Sequence, residues 1–396
     1  MLRFIFITTL LVLMCLSLSA QNVISLEAAV ERVKTQHPRI LQQDLYIQQQ
    51  RILKDAGKNQ PFLSFGYGME ELGVAGTGVH SLYAQQSFNL PQVAKRKSVF
   101  QEALAQTGES QKAVTQKQLE RSVANLYQQL LFLKSQQILN KELLTIYDKT
   151  EAIAAKRAKV GETGVIPVIT TQSAKQQIEW QQMSTIQNYS SQFILLQQFL
   201  MDSSLTDIAD TALVASKQQL EAIDLAAHPL VEQIDKKKVA NALQSEVIQS
   251  QLLPQLSTGV QLQVVDGTFP NFGAQIGLNV PLFTKGVKAQ VQANELNGKI
   301  LDQNKAWQLQ QLESQQKMIL QNIQLLKKQL TYFEMVLLPT LQKQQELNQK
   351  AFSIGELDYL NVLQGLEQII SVKRRYLQLV LQLNLAWVDH NYLLEI

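Results

Sequence analysis

The residues that most often carry enzyme chemistry are few in this chain and stand far apart. Its four histidines are His37, His80, His228 and His390, and no two of them have the spacing of a metal-ligand pair. The seven methionines form no close-set cluster of the kind that relays copper. No glycine-rich phosphate loop, nucleophile elbow or paired-carboxylate signature occurs. The sequence therefore predicts no enzyme, no resident metal and no cofactor.

The single cysteine, Cys15, lies in an N-terminal segment with the pattern of a secretory signal peptide. A short basic start is followed by an apolar run over residues 4–18 and by small residues, which predicts cleavage after Ala20. A transmembrane anchor is the alternative, but roughly 15 apolar residues fall short of the ~20 that a spanning helix needs. We therefore expect residues 1–20 to be removed and the mature chain to lack thiol chemistry.

Polarity in this sequence comes from glutamine rather than from charge. The 396 residues include 58 glutamines, and charged residues make up 17%, below the roughly 25% of typical soluble domains. Glycine (17) and proline (9) are too scarce for an all-β or repeatedly wound α/β protein. Because glutamine is a good helix former, the composition favours long helices with uncharged polar faces. A net charge of +3 gives no reason to expect a nucleic-acid partner.

The two halves of the chain repeat one pattern. Four short matches occur in the same order: His37-Pro38 with His228-Pro229, Pro61 with Pro254, Leu90-Pro91 with Val280-Pro281, and Val160-Gly161-Glu162 with Ile354-Gly355-Glu356. Such self-similarity predicts a duplicated structural unit, over residues 21–210 and 211–396. Because His37 and His228 both precede a proline, we interpret them as breakers at the start of a helix.

Each unit has the same predicted order of a helix, two strands, one very long helix and a return helix. In the first unit the last four elements lie at about 61–70, 79–90, 92–160 and 165–201. In the second unit they lie at about 254–265, 271–282, 287–353 and 358–394, with a kink expected at Pro339. Apolar residues recur at 3-4 spacing, as at Leu119, Val123 and Leu130, which predicts coiled-coil seams.

The four strand segments alternate apolar and polar residues with period two. On the third and fourth strands the polar face carries residues that we interpret as lining a water-filled lumen: Gln255, Gln261, Gln263, Gln275 and Asn279. Each strand has the length of a tilted membrane-spanning strand, about 9–11 residues, and aromatic residues cluster at the strand ends. The alternative is a soluble hairpin with one face on a core.

A membrane-spanning sheet must close on itself, because lipid satisfies no open strand edge. Four strands are too few for a closed barrel, so this interpretation requires a barrel that is shared among copies of the chain. With four strands each, two, three or four copies give 8, 12 or 16 strands. The strand count alone does not choose among these.

Several short segments along the mature chain, some of them members of the repeat, form a recognisable set. They are the opening Ile24-Ser25-Leu26-Glu27-Ala28-Ala29-Val30 with His37-Pro38, the turns at Gly161-Glu162 and Gly355-Glu356, and Val280-Pro281-Leu282-Phe283 closing the last strand. Together with the signal peptide and the duplication, they resemble the TolC family of outer-membrane efflux proteins over essentially the whole mature chain.

The resemblance implies a mainly α fold with a small β part. Long antiparallel coiled-coil helices would form a trimeric α-barrel, and four strands per chain would contribute to a shared 12-stranded transmembrane β-barrel. The protein would be a multi-pass barrel of the outer membrane that extends into the periplasm. Its implied partners are two further copies in a homotrimer, outer-membrane lipid, a periplasmic adaptor protein and an inner-membrane transporter, which we expect to be proton-driven.

The resemblance also implies, by position, which residues contact the adaptor at the periplasmic tip. They belong to the two helix-to-helix turns: Val160, Gly161, Glu162, Ile354, Gly355 and Glu356. Each glycine can close its helix with a left-handed cap, and capping alone is the alternative role for these turns.

The periplasmic constriction that the resemblance implies would involve Asp358, Asn361 and Gln364. The family's constriction aspartates align with Asn361 and Gln364, which carry no charge, so a strongly cation-attracting ring is not expected there. The family's gate-locking positions align with Phe352 and Leu357, whose side chains form no charged links. We therefore expect any closed state to be held differently.

The function that the sequence predicts is an exit duct of a tripartite efflux pump. The duct would passively conduct small substrates, drugs or metal ions, from the periplasm to the outside, energised by the partner pump. One alternative is a periplasmic coiled-coil adaptor or scaffold protein with no channel. Another is a sealed structural protein that spans the envelope.

Overall fold

The computed structural model describes residues 22–70, 78–220, 224–265, 267, 271–354, 356–357 and 359–393. The predicted signal segment with Cys15 lies outside these residues. So do Gly355 of the second tip turn and Asp358 of the predicted constriction.

The first half of the chain ends in two long helices. Its elements are β1 (Val23–Ile24), α1 (Leu26–Gln36), α2 (Pro38–Ala56), β2 (Leu63–Glu70), β3 (Val79–Phe88), α3 (Pro91–Lys159) and α4 (Ile166–Phe199). Helix α3 has 69 residues and, at 1.5 Å per residue, spans about 100 Å. It begins at Pro91, at the position where a missing N–H breaks no helical hydrogen bond.

The second half repeats this order of helix, two strands, long helix and return helix. Its elements are β4 (Asp207–Ile208), two 3₁₀ turns (Leu225–Ala227 and Ser250–Leu252), α5 (Pro229–Gln249), β5 (Gln255–Val265), β6 (Asn271–Asn279), α6 (Lys285–Tyr332), α7 (Leu338–Ser353) and α8 (Tyr359–Leu393).

A π-helical turn at Phe333–Leu337 joins α6 to α7. It lies where the sequence predicts a kink, just before Pro339. A proline has no N–H to donate, and its ring crowds the carbonyl four residues earlier, here Met335 within the π turn. The wider turn is a known way for a helix to absorb such a conflict.

Four strands form one antiparallel sheet in the order β2, β3, β5, β6. The register runs straight across it: Tyr67 pairs with Leu82, Leu82 with Leu262, and Leu262 with Phe272. Because successive residues of a strand point to opposite faces, every such row belongs to a single face. Strands β2 and β6 are the two edges of the sheet.

The helices continue the sheet in the same order. Helix α2 leads into β2, β3 into α3, α5 into β5 and β6 into α6, and α3 packs against α2 and α5 while α5 packs against α6. Farther from the sheet, α4 packs against α3, α3 against α8, and α8 against α6 and α7. The helical wall thus has α2 and α4 on one flank and α6 with α7 on the other. Within the described residues, no helix is both long and apolar enough to cross a membrane.

The two larger apolar clusters of the described residues hold the helices of this wall together. The predicted seam residues Leu119, Val123 and Leu130 are almost fully buried in the larger one, with Trp387 of α8. The smaller cluster lies nearer the turns between the long helices and their return helices, and it includes Leu143, Ile178, Phe352 and Leu366.

Histidine-proline pairs begin equivalent helices in the two halves. The Arg39 N–H donates to His37 Nδ1 at 3.1 Å at the start of α2, and the Leu230 N–H donates to His228 Nδ1 at 3.2 Å at the start of α5. Each imidazole therefore serves as the N-terminal cap of its helix. Burial lowers the pKa of both His37 and His228, which favours the neutral ring that can accept this bond. The predicted role at helix starts is confirmed, and capping is its physical basis.

Candidate functional site

One face of the sheet is mostly apolar, interrupted by Gln86, Thr258 and His80, and the described chain leaves it uncovered. Phe65, Val260, Phe272 and Ile276 lie on it, on four-strand rows, and are 61–82% exposed. A soluble hairpin would pack such a face against a core. Exposed apolar surfaces of this kind mark contact with a partner or a membrane.

Aromatic side chains flank this face where strands join helices. Phe62 directly precedes β2 and Phe283 lies between β6 and α6, and they are 94% and 97% exposed. Phe88 is the last residue of β3 and lies at the same end of the strands, next to the helices. Aromatic rings at the border of an apolar band are typical of a membrane interface.

The opposite face of the sheet is mostly polar, and its one charged residue in the described strands is Glu70 at the end of β2. Gln255 pairs with Asn279, and Gln261 lies between Tyr83 and Gly273 in one cross-strand row. The five predicted lumen residues all belong to this face: Gln255, Gln261, Gln263, Gln275 and Asn279. Their place on one face is a property of the fold, and their role in a lumen stays a prediction.

Glycines on the polar face make room for larger side chains on the neighbouring strand. The Tyr83 ring lies over Gly66, where a Cβ would come within 2.1 Å of the ring. A Cβ at Gly277 would come within 2.6 Å of the Ser257 hydroxyl. A larger residue at Gly66 would therefore displace Tyr83.

The flank of the wall formed by α6 carries an apolar stripe directed away from the core. At 3.6 residues per turn, its members fall on one side of the helix, opposite the buried Leu312, Ile323 and Leu330. This α6 stripe consists of residues that are 54–61% exposed: Leu296, Ile300, Trp307, Met318, Leu325 and Tyr332.

The other flank carries a matching stripe on α2 and α4. On α2 the exposed residues lie opposite the buried Ile40 and Ile47, and on α4 they lie opposite the buried Ile178. This α2/α4 stripe consists of residues that are 50–73% exposed: Leu41, Leu45, Ile52, Ile169, Trp180 and Met183. Both flanks of one chain thus expose apolar side chains along their length.

The turn between α3 and α4 closes α3 with a left-handed glycine. Gly161 has φ of +75°, and the Glu162 N–H donates to the Arg157 carbonyl at 3.0 Å. This is the bond of a Schellman cap, so the predicted capping role of Gly161 is confirmed. In the second turn the Glu356 N–H donates to the Ala351 carbonyl at 2.9 Å, which is the corresponding bond.

Both tip turns present exposed apolar side chains beside their acidic residues. Val160 is 76% exposed in the first turn and Ile354 is 69% exposed in the second. Glu162 and Glu356 are exposed next to them. The structure leaves these four predicted contact residues open to a partner, and the contact itself stays a prediction.

A contact that no sequence pattern predicts joins the described ends of the two helical hairpins. Arg157 donates through Nη2 to the Phe352 carbonyl at 2.6 Å, and its Cζ lies 4.4 Å from the centroid of the Phe352 ring. Arg157 Nε also lies 3.7 Å from a carboxylate oxygen of Glu162. The basic end of α3, with Lys156 and Lys159 beside Arg157, was the available signal.

The residues of the predicted constriction lie at the start of α8. Asn361 and Gln364 are both exposed and, being three residues apart, share a face of the helix. Val362 and Leu363 between them are buried. Leu357 packs, half-buried, against the smaller cluster.

Metal-ligating residues do not gather in the part of the chain that the structure describes. There, no group of three or more histidine, cysteine or carboxylate side chains is placed to hold a metal ion.

Comparison with known proteins gives matches in three-dimensional structure. No family model and no curated protein matches the sequence. The structure of CusC, a protein described as forming a transmembrane channel, matches with a TM-score of 0.77 and 15% identity over 94% of this chain and 92% of that one. The outer membrane protein VceC from Vibrio cholerae matches with a TM-score of 0.71 and 16% identity over 92% and 95%.

A third match is the MtrE outer membrane channel of Neisseria gonorrhoeae in its open state. Its TM-score is 0.70 at 13% identity, over 93% of this chain and 88% of that one. At these identities the similarity establishes the fold. The chain therefore has the fold of outer-membrane channel proteins, and the resemblance to the TolC family is confirmed at that level.

Proposed function

We propose that this protein is the outer-membrane exit duct of a tripartite efflux pump, built from three copies of the chain. The observation that carries the proposal is that one chain exposes an apolar sheet face, two open sheet edges and two apolar helical flanks. Lipid and further copies of the chain together cover all of these surfaces.

Outer-membrane lipid covers the apolar face of the sheet. Moving one Ile, Leu or Phe side chain out of water is worth about 1.5–3 kcal/mol, so a face with Phe65, Phe272 and Ile276 favours the bilayer strongly. The aromatic residues Phe62 and Phe283 then lie at the membrane border. The polar face with Gln261 and Gln275 surrounds the water-filled lumen.

Further copies of the chain complete the sheet. In lipid, the free N–H and C=O groups of an edge strand must find partners in protein, and β6 of one copy can supply them to β2 of the next. The same arrangement brings the α6 stripe of one copy onto the α2/α4 stripe of the next. Such a head-to-tail contact closes a ring.

The number of copies and the partners follow from the resemblance to the TolC family. Three copies with four strands each give a 12-stranded barrel, an even number within the range of bacterial outer-membrane barrels. The exposed Val160 and Ile354 at the tips suit a periplasmic adaptor. Because the chain carries no nucleotide-binding motif, a partner must supply the energy. The resemblance implies an inner-membrane transporter, which we expect to be proton-driven.

The lumen chemistry fits broad passive conduction. Glutamine, asparagine, serine and glycine make up most of the polar face, whose described strands carry the single charge of Glu70. In the implied constriction, the uncharged Asn361 and Gln364 accompany Asp358. Uncharged amides hold neither cations nor anions tightly, so small charged substrates such as drugs or metal ions pass without being trapped.

A planar-bilayer recording of the detergent-purified protein tests this function. We expect stepwise conductance from the wild type. Absence of steps would support the sealed structural alternative, and a protein that needs no detergent would support the adaptor or scaffold alternative.

Two neighbouring substitutions on opposite faces sharpen the test. Ile276→Lys places a charge on the lipid face, at a cost of about 2–4 kcal/mol near the membrane midplane, and we expect loss of membrane insertion. Gln275→Lys places the same charge on the lumen face, and we expect insertion to persist with a shift towards anion selectivity. The reverse pattern would assign the faces the other way round.

A further inference from the structure

A cavity of about 250 Å³ lies away from the sheet and the tips, where α1, α3 and α8 meet. Leu26 and Val30 of α1, Lys117 and Arg121 of α3, and Trp387 of α8 contribute to its walls. A water molecule takes up about 30 Å³ in the liquid. The cavity therefore has room for a small organic molecule.

The walls contain one buried donor without an acceptor and one largely buried cationic side chain. Trp387 is 2% exposed, and its Nε1–H has no hydrogen-bond partner. Lys117 is 8% exposed, and none of the ion pairs or hydrogen bonds in the described part of the chain involves its ammonium group. An unsatisfied buried donor such as the Trp387 Nε1–H costs about 1–3 kcal/mol.

The charges around the cavity compensate Lys117 only in part. Arg121, the second cation, is paired with Asp389 at 2.8 Å and lies over the Tyr392 ring. Glu120 also lines the cavity and attracts Lys117. Burial nevertheless outweighs this attraction and lowers the pKa of Lys117. An anion in the cavity would relieve that burial penalty.

We propose that this cavity is a binding site for a small organic monocarboxylate. The carboxylate accepts hydrogen bonds from Lys117 Nζ and Trp387 Nε1, and the apolar part of the ligand packs against Leu26 and Val30. One cation and one neutral donor match a single negative charge, whereas a phosphate group would need more charged donors. Because α1, α3 and α8 all contribute, the ligand ties these three helices together.

Binding is tested with the full-length detergent-solubilised protein and 4-fluorobenzoate as probe. Line broadening in ¹⁹F NMR reports binding, and 4-fluorobenzamide serves as a neutral probe of the same shape. We expect saturable broadening of the benzoate and at least about tenfold weaker binding of the amide. Equal binding of the two probes would overturn the proposal.

Three variants assign the site to its residues. Lys117→Met keeps the length of the side chain and removes its charge, and we expect about tenfold weaker benzoate binding. Trp387→Phe removes the indole N–H together with part of the ring system, and we expect a several-fold loss of benzoate affinity. Lys149→Met, at an exposed position of the same helix, is the matched control and should bind like the wild type.

Thermal unfolding of each variant separates loss of the site from loss of the fold. Lys117→Met removes a charge that burial disfavours, and the variant should unfold at the wild-type temperature or above, so it carries the test even if Trp387→Phe is unstable. Wild-type benzoate affinity in folded Lys117→Met would refute the proposed site. Conductance of this variant should equal that of the wild type, so the result is independent of the proposed duct.

Discussion

Arg157 and Phe352, which are 195 residues apart in the sequence, connect the ends of the two helical hairpins. The guanidinium donates to the Phe352 carbonyl and covers the Phe352 ring. Phe352 itself is anchored in the smaller apolar cluster. In the proposed duct this contact holds the two tip turns of a copy together. It does so although the side chains of Phe352 and Leu357 form no polar links.

Arg157→Met should therefore loosen the tips. The substitution removes a hydrogen bond from a charged donor, worth about 1.5–3 kcal/mol, and a cation–π contact worth about 0.5–1 kcal/mol. We expect the closed–open equilibrium to shift by at least about tenfold, since 1.4 kcal/mol corresponds to that factor. Single-channel recording should show longer or larger openings.

Lys156→Met is the matched control for Arg157→Met. Lys156 is the preceding residue on α3 and is exposed, so its loss should leave the recordings unchanged. If both variants behaved like the wild type, Arg157 would not act as the link between the tips.

Leu325→Glu should prevent assembly of the ring. Leu325 belongs to the α6 stripe, and a carboxylate there would be buried against the neighbouring copy without a partner, which is strongly unfavourable. Gln324→Glu introduces the same charge one residue earlier, off the stripe. Light scattering in detergent should show a trimer for the wild type and Gln324→Glu but smaller species for Leu325→Glu. Trimers of all three proteins would exclude the α6 stripe from the interface.

The histidine caps should make the fold sensitive to acid. The folded-state pKa of His228 lies below its ordinary value of 6.5, so the unfolded chain binds more protons in the window beneath that value. The contribution of His228 to the free energy of unfolding is therefore fully present above pH 6.5 and falls as the pH decreases through the window.

His228→Asn keeps an N-terminal cap for α5 but removes the titration. We expect the loss of thermal stability between about pH 7 and pH 5 to be smaller in this variant than in the wild type. His37→Asn should act in the same direction, and less strongly because His37 is less buried. If both variants lost thermal stability with pH as the wild type does, the histidine caps would not be a source of acid sensitivity.

Asn294→Ala should weaken the packing of α6 on α5. Asn241 and Asn294 are 9% and 8% exposed, and each side chain donates to the backbone carbonyl of the other at 3.0 and 2.6 Å. Breaking this exchange leaves buried groups unpaired, and we expect a loss of about 1–3 kcal/mol in the free energy of unfolding. Asn297→Ala, an exposed contact to Asn241, should cost less. Equal losses would contradict a special role for the buried pair.

The sequence was informative wherever a local rule decides the structure. Strand faces follow from strict alternation, as at Gln261 and Gln263, because the pleat leaves no other choice. The cap at Gly161 follows from the conformational freedom of glycine.

Contacts set by packing between distant segments could not be predicted from local patterns. Nothing near Arg157 in the sequence indicates that Phe352 is its partner. On α6, the core residue Ile323 and the exposed Leu325 are both aliphatic and only two positions apart. Periodicity shows that such a helix has apolar sides, but only the packed structure shows which side remains free.

Strand pairing between copies distinguishes the shared barrel from every alternative with open sheet edges. We expect electron cryomicroscopy of the detergent-purified protein to show a closed three-fold ring in which β6 of each copy pairs with β2 of the next. Trp307 of one copy should lie in the interface with α2 or α4 of its neighbour. A monomer, or an assembly in which β2 and β6 remain unpaired, would contradict the shared barrel.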